Sequence, residues 1–303
     1  MRLSIQIGVM MLIPALAGAQ QQTIDRRHAV SPTASIRLTA VSQETVLRVI
    51  GWDRDSVVLT GQVGATARVD GGVAGNRSGA KLFVESPASG TATPARLELR
   101  VPARSRVWVK LGSGDVEVTS VQGAVDVNIV SGSIGVTGDL RELNAEAMDG
   151  TITVDGRADW LRAKTAGGDV TIDGGGDDVG LTSVSGAIVL RGGPVTRARI
   201  ETVTGDVTVV GAIAQRGQLT VDSHSGRVEY RLSKASGADI EVVTVNGTVT
   251  NQLNAQRPLP GMGARGQELG TSVAGGGRSI TIRTFKGSVL LAADTATAAA
   301  ARP

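Results

Sequence analysis

Cysteine is absent from this 303-residue chain, and aromatic residues make up only 2% of it. Without cysteine the fold has no disulfide and no lipid-modified cysteine, so its stability must come from packing and backbone pairing. With so few rings the core must be thin and built from Val, Ile, Leu and Ala. Such a core suits stacked strands better than a large helical globule.

An excess of one charge is also missing, because Lys and Arg number 31 and Asp and Glu number 28. The basic residues alternate with acidic ones, and no aromatic stacking positions accompany them. This composition argues against nucleic acid as a partner and indicates a solvated surface of mixed charge.

The N-terminus has the pattern of a secretory signal peptide over residues 1–19. A short positive start at Arg2 precedes the apolar stretch "LSIQIGVMMLIPALA", and Ala17-Gly18-Ala19 fits the small-x-small cleavage rule. The stretch is shorter than the roughly 20 apolar residues of a membrane-spanning helix, and no second apolar run follows. We therefore expect an exported protein that is periplasmic, cell-surface or secreted, with no stable membrane span.

Glycine, by contrast, is abundant and recurs at a fixed spacing. The first intervals are 18 residues, the next are 19, 21 and 21, and the last is 40. A period near 20 residues is the signature of a repeat architecture. The recurring glycines are Gly114, Gly132, Gly150, Gly168, Gly186, Gly205, Gly226, Gly247 and Gly287.

Apolar residues keep the same phase around each of these glycines. They lie seven and five residues before it and two and four residues after it, as in Val107, Val109, Val116 and Val118 around Gly114. Alternation with period two predicts two half-buried strands per repeat. The stretch "SGD" at 113–115 is thus predicted to be a corner between strands.

The repeat predicts an all-β fold, namely a single-stranded β-solenoid (β-helix) of about nine coils of 18–21 residues. The alternative is an antiparallel β-meander or sandwich, because Asp149-Gly150 and Asn246-Gly247 also suit hairpin turns. In domain terms, residues 20–104 form an N-terminal β cap and 105–291 form the solenoid with an insertion at 251–278. Residues 292–303 are expected to be a disordered tail.

The segment "VPARSRVWVKLGSGDVEVTSVQGAVDVNIVSGSIGVTG", with "GWDRDSVVLTG" upstream, resembles the bacterial putative-adhesin family of β-strand-repeat proteins. The resemblance covers roughly residues 36–291. It implies an exported, solenoid-like β-protein linked to the cell envelope. It brings no catalytic residues and no cofactor.

Four aspartates near a Gly-rich corner are the weak candidates for a metal site: Asp169, Asp173, Asp177 and Asp178. A calcium ion needs several oxygens that converge on one point, and no continuous aspartate ladder runs through the repeats. Solvated corner residues are the favoured interpretation.

Four side chains are candidates for ligand contact: Trp108 at an outward position on the first coil, Trp160 at a corner, and two outward charged residues. Trp108 and Trp160 are predicted either to stack on sugar rings or to cover an apolar edge. Glu146 and Lys164 fall on adjacent coils, where they form either a stacked charge pair or part of a polysaccharide groove.

The absence of clustered catalytic groups favours a non-enzymatic protein, an adhesin or a cell-envelope interaction module. Its expected partner is a cell-envelope or extracellular polysaccharide or protein. The alternatives are a polysaccharide-active enzyme on a β-helix and a purely structural periplasmic scaffold.

If residues 1–19 are a signal peptide, the protein exported by a bacterial host starts at Gln20. Mass spectrometry of the intact exported protein identifies its N-terminal residue. An Ala19→Arg variant should retain the leader, because a large charged residue breaks the small-x-small rule. An exported product that still starts at Met1 would contradict the prediction.

Overall fold

The computed structural model describes residues 21–86, 93–211, 213–233, 236–261 and 265–294. The predicted signal peptide and positions 295–303 of the predicted tail lie outside these ranges. Within them, every regular element is a β-strand, and no helix is long and apolar enough to cross a membrane. The strands are β1 (Gln21–Ala29), β2 (Ser35–Trp52), β3 (Ser56–Gly64), β4 (Arg68–Val73), β5 (Gly79–Glu85), β6 (Ala95–Pro102), β7 (Arg106–Ser113), β8 (Val116–Thr119), β9 (Ala124–Thr137), β10 (Leu140–Thr165), β11 (Val170–Ser183), β12 (Ile188–Arg191), β13 (Val195–Thr202), β14 (Val207–Val210), β15 (Ile213–Ser223), β16 (Val228–Leu232), β17 (Ala238–Thr244), β18 (Val249–Asn251), β19 (Leu259–Pro260), β20 (Gln267–Val273), β21 (Ser279–Thr284) and β22 (Val289–Ala293).

The repeats stack by parallel pairing between strands that lie one repeat apart in the sequence. Val125 of β9 lies opposite Val107 of β7 on one side and Leu143 of β10 on the other, an offset of 18 residues each way. Parallel neighbours cannot be joined by a tight hairpin. The predicted β-solenoid is therefore confirmed, and the antiparallel alternative is wrong for the repeat region.

The proposed hairpin turn at Asp149-Gly150 shows this directly. Both residues lie within β10, in parallel register with Ser131 and Gly132 of β9. Two outward residues, Met148 and Asp149, precede the buried Gly150, so the inward–outward alternation shifts there as it does at a bend.

The corner glycines stack on one another, and this contact leaves no room for a side chain. Gly132 has φ +118°, and a Cβ added to it would lie 2.1 Å from the carbonyl oxygen of Gly114 in the preceding layer. Both the backbone conformation and the closeness of the neighbouring backbone demand glycine.

The core is a thin column of aliphatic side chains between the strands before and after each corner. Val, Ile, Leu and Ala supply almost all of it, as the composition predicts. Tyr230 is the exception, an aromatic residue that is only 1% exposed.

The stacking order departs from the sequence order at both ends. β2 lies between β5 and β6 on one side and β7 and β8 on the other, all in parallel pairing. At the other end, β21 and β22 lie between β15 and β16 on one side and β17 and β18 on the other. The last repeat along the chain is thus an inner layer.

Antiparallel strands pair with the outermost layers of the stack. β4 pairs with β5, and β3 pairs with β6 and β1 at the first end; β20, from the predicted insertion, pairs with β17 at the other end. These strands form hydrogen bonds with the backbone groups of the outermost layers, whose unpaired edges would otherwise promote aggregation. Strands of the predicted N-terminal cap therefore supply layers of the stack as well as a cap, and β22 extends to Ala293, two residues beyond the predicted end of the solenoid at 291.

We expect Gly132→Ala to lower the free energy of unfolding by at least about 2 kcal/mol, because the new Cβ meets backbone at a positive φ. Gly270→Ala is the matched control, since nothing lies within 4 Å of its Cβ position, and it should change stability by less than about 0.5 kcal/mol. Urea unfolding followed by tryptophan fluorescence measures both. Equal stability of the two variants would contradict the glycine contact.

Burial raises the pKa of Tyr230 to about 12. The ordinary value is about 10, so the folded state favours the neutral phenol. The resulting stability, of order 2–3 kcal/mol, is fully present below pH about 10 and is lost as the pH rises towards 12.

Because Tyr230 is the single tyrosine of the chain, the ultraviolet absorbance of phenolate reports it alone. We expect the phenol of Tyr230 to ionise only near pH 12 in the folded protein. Tyr230→Phe should remove this component from the pH dependence of stability. Phenolate that forms near pH 10 while the fold persists would refute the prediction.

Candidate functional site

One broad face of the solenoid collects all four predicted ligand-contact residues. We call it face A: the outward side chains located two, four, six and eight residues before each corner glycine. Trp108 is six residues before its glycine, Trp160 is eight before, and Glu146 and Lys164 are each four before. The parallel register places residues of equal position in columns along the stack.

The outermost column of face A is apolar almost throughout. Seven of the ten exposed large apolar side chains among the described residues lie in it, and Met148 is 65% exposed. We call this column the apolar stripe. In stacking order it consists of Val41, Gly112, Val130, Met148, Ala166, Val184, Val203, His224, Phe285 and Val245.

The backbone around each corner holds the stripe side chains outward. The carbonyl of Met148 accepts hydrogen bonds from the N–H groups of Ala166 and Gly167, both at 3.1 Å, and the contact recurs between Val184 and Thr204 at 2.8 Å. Further along, the rings of His224 and Phe285 stack with centroids 5.1 Å apart. The stripe residues are therefore fixed in position before any partner arrives.

A column of buried Ser and Thr residues lies directly beneath the stripe. The hydroxyl of Thr202 donates to the carbonyl of Gly205 (3.2 Å) and accepts from its N–H (3.0 Å), and Ser223 and Thr284 bond their own corner glycines. This column consists of Thr165, Ser183, Thr202, Ser223, Thr284 and Thr244.

The Ser/Thr column makes the sequence signature S/T-x-x-G, which the alternation of apolar residues does not reveal. Ser and Thr close such turns through local hydrogen bonds. The residue after this Ser or Thr is the stripe residue, so the signature marks both columns. It was readable from the sequence, for example in "TVTG" at 202–205 and "TFKG" at 284–287.

Beside the stripe runs a polar column, four residues before each glycine. Between the two columns lie depressions of about 390 Å³ and 490 Å³ that meet at Thr182 and Val184. Together they form one groove. In stacking order the polar column consists of Thr39, Lys110, Asn128, Glu146, Lys164, Thr182, Glu201, Asp222, Arg283 and Val243.

Charges in the polar column differ in their pairing. Glu201 accepts a 2.6 Å hydrogen bond from Arg199, which raises the pKa of that guanidinium, and Asp222 pairs with Arg199 and Arg283. Over the described ranges, Lys110, Glu146 and Lys164 have no ion pair within 4 Å. The two predicted partners, Glu146 and Lys164, are on adjacent layers and exposed without contacting each other as an ion pair.

Trp108 and Trp160 line one cleft of about 280 Å³ on the inner columns of face A. The guanidinium of Arg162 lies 4.5 Å from the ring of Trp160, which is 41% exposed. Arg37 and Arg106 flank the ring of Trp108 at 5.1 Å and 5.7 Å. Arginine guanidinium groups therefore lie close to both indole rings on face A.

Two carboxylates also line this cleft, and both have partners. Glu142 pairs with Arg106 at 2.9 Å, and Asp126 accepts hydrogen bonds from Asn128 at 2.5 Å and Asn144 at 3.4 Å. These contacts hold the two carboxylates in place. The cleft therefore offers a ligand fixed polar groups between the two indole rings.

The four candidate metal ligands are held by separate partners. Asp169 accepts a 2.8 Å hydrogen bond from the N–H of Ala187 in the next layer. Asp173 pairs with Arg191, Asp177 with Arg157, and Asp178 with both Arg162 and Arg197. The hydrogen bond from Arg157 to Asp177 also raises the pKa of the guanidinium. Each carboxylate links neighbouring layers, as a solvated corner residue would.

Residues 139–259 match the family Toastrack DUF4097. A protein described as a putative adhesin from Parabacteroides merdae is 10% identical, with 89% of this chain and 96% of that chain covered and a TM-score of 0.49. Another putative adhesin, from Bacteroides fragilis, is 12% identical over 90% and 98% of the two chains with a TM-score of 0.45. A putative lipid binding protein from Parabacteroides distasonis is 11% identical over 89% and 96%, with a TM-score of 0.42.

No curated protein sequence matches the chain. The family match lies within the solenoid and spans several of its corner glycines. The resemblance drawn from the repeat is thereby confirmed: over residues 139–259 this chain is similar to Toastrack DUF4097, a domain of unknown function.

Proposed function

We propose that the chain is an exported, non-enzymatic β-repeat protein that acts as an adhesin or cell-envelope interaction module through face A. The observation that carries the proposal is the apolar stripe, which continues from layer to layer beside a polar column. Contiguous exposed apolar surface with a polar border is typical of a binding surface.

The stripe suits avid contact because the same small contact is repeated along the stack. At ~4.8 Å per layer, the stripe extends about 40 Å from Val41 to Val245. Every layer except that of Gly112 contributes one stripe side chain on a fixed backbone, so binding orders few groups and costs little conformational entropy. A purely structural scaffold would not need such a surface.

Met148 and Val184 provide the test, because both side chains are exposed in the stripe and their replacement leaves the core intact. We expect the purified protein to co-sediment with envelope fractions of its organism or with insoluble extracellular polysaccharide. The double variant Met148→Asp/Val184→Asp should lose retention about tenfold or more, because it places charges where apolar contact is needed.

Thr153→Asp is the control, since it also introduces a carboxylate, on the outward side of the strand after the corner and away from face A. It should be retained like the unaltered protein. Retention of the double variant at the unaltered level would overturn the proposal.

The tryptophan cleft supports a second candidate, a polysaccharide-active enzyme, because Asp126 and Glu142 line it together with two indole rings. Assay of the supernatant for soluble sugars separates the two functions. Release of sugar that is abolished by Glu142→Gln would establish the enzyme. Retention without release supports the binding module.

A further inference from the structure

We infer that the partner of the groove is a second copy of this chain, packed face to face with its stack running in the opposite direction. This inference rests on the proposed function, since it names the occupant of the same surface. The charges of the polar column and the side-chain sizes in the stripe carry it.

An isologous dimer that pairs two equal faces needs a two-fold axis in the plane between them. If that axis runs along the strand direction, it reverses the order of layers but leaves each column opposite itself. The apolar stripe then covers the stripe of the second copy, and the polar column faces its own counterpart. The register along the stack remains to be chosen.

The charges of the polar column select one register, with the axis between the layers of Glu146 and Lys164. Glu146 then faces Lys164 of the second copy, and Lys164 faces the second copy's Glu146. In the same register Lys110 faces Glu201 of the second copy, and the reverse. All four contacts join opposite charges, and three of the residues have no ion pair within the described part of one chain.

Neighbouring registers oppose like charges. An axis through the layer of Lys164 would set Lys164 against itself, and an axis through the layer of Glu146 would do the same to that carboxylate. A shift of one whole layer from the favoured register sets Glu146 against Glu201, or Lys110 against Lys164. If the stacks of the two copies ran in the same direction, each charged residue of the polar column would face the same residue of the second copy, or would face its apolar stripe. Like charges across an interface suppress wrong pairings.

Side-chain sizes in the stripe agree with the register that the charges select. Met148 faces Ala166 of the second copy, and Val203 faces Gly112, so a large residue meets a small one in both cases. Val130 faces Val184 between them. Such alternation lets two surfaces interdigitate.

The available area matches that of a stable interface. The eight layers from Val41 to His224 span about 34 Å, and the strands of face A are about 20 Å wide. About 700 Å² per copy is therefore covered, within the range of a standard protein–protein interface.

Sedimentation equilibrium of the purified protein should show a monomer–dimer equilibrium in the micromolar range. Glu146→Lys and Lys164→Glu should each weaken dimerisation at least tenfold, because symmetry places every change at two contacts. The double variant Glu146→Lys/Lys164→Glu should recover to within about threefold of the unaltered protein, because the pairs are restored with signs reversed. Glu117→Lys, on a strand after the corner, is the control and should dimerise normally.

Crosslinking tests direction and register, since the chain has no cysteine of its own. Val130→Cys mixed with Val184→Cys should join through a thiol crosslinker of about 10 Å, the separation of packed sheets. Either variant alone should not join to itself, because three layers, roughly 14 Å, separate equal positions. Self-crosslinking without mixed crosslinking would overturn the antiparallel arrangement.

The outcomes separate this inference from the proposed function. A protein that stays monomeric at high micromolar concentration, or a charge-reversed pair that fails to recover, overturns the second copy as partner. If envelope retention still depends on Met148 in that case, the proposed function stands. A dimer that behaves as expected, with envelope retention indifferent to the stripe, supports the pairing and overturns the envelope role.

Discussion

The contact of glycine on glycine at the corners is the constraint on which the rest of the structure depends. A Cβ at Gly132, Gly168 or Gly226 would lie within about 2 Å of backbone in the layer below. Because the corners approach this closely, each layer must sit directly over its neighbour. Equivalent positions of successive repeats then align in columns along the stack.

Each column of side chains has a different role in the fold. Inward aliphatic columns form the core, while Thr202, Ser223 and Thr284 of the buried Ser/Thr column close their corners by hydrogen bonds to the corner glycine. Corner carboxylates such as Asp115 and Asp206 accept hydrogen bonds from backbone N–H groups of the next layer. What is left for a partner is face A, where the apolar stripe and the polar column are fixed by the same stacking.

The two predicted tryptophans illustrate how far the sequence reached. Trp108 and Trp160 are 52 residues apart; the repeat predicts an outward position for Trp108 and a corner position for Trp160, and only the structure places both on face A. That they line one cleft with Glu142 and Asp126, under stacked guanidinium groups, depends on side-chain conformations and could not be read from spacing. The apolar stripe was readable two residues before each glycine, but the alternation alone predicts an outward position and says nothing of an apolar one.

The sequence by itself determined the layer: the glycine spacing and the inward columns. Both follow from local periodicity and the steric demand of a corner. The sequence favoured parallel stacking over the antiparallel alternative, and the strand pairing then decided between them. Only the tertiary structure decided the order of the layers, with β2 and the pair β21–β22 placed inside the stack. All layers share one pattern, so any layer fits on any other, and local pattern cannot rank the neighbours. The order is decided by the requirement that the outermost strands be covered, here by the antiparallel strands β4, β3 and β20, which depends on the whole chain.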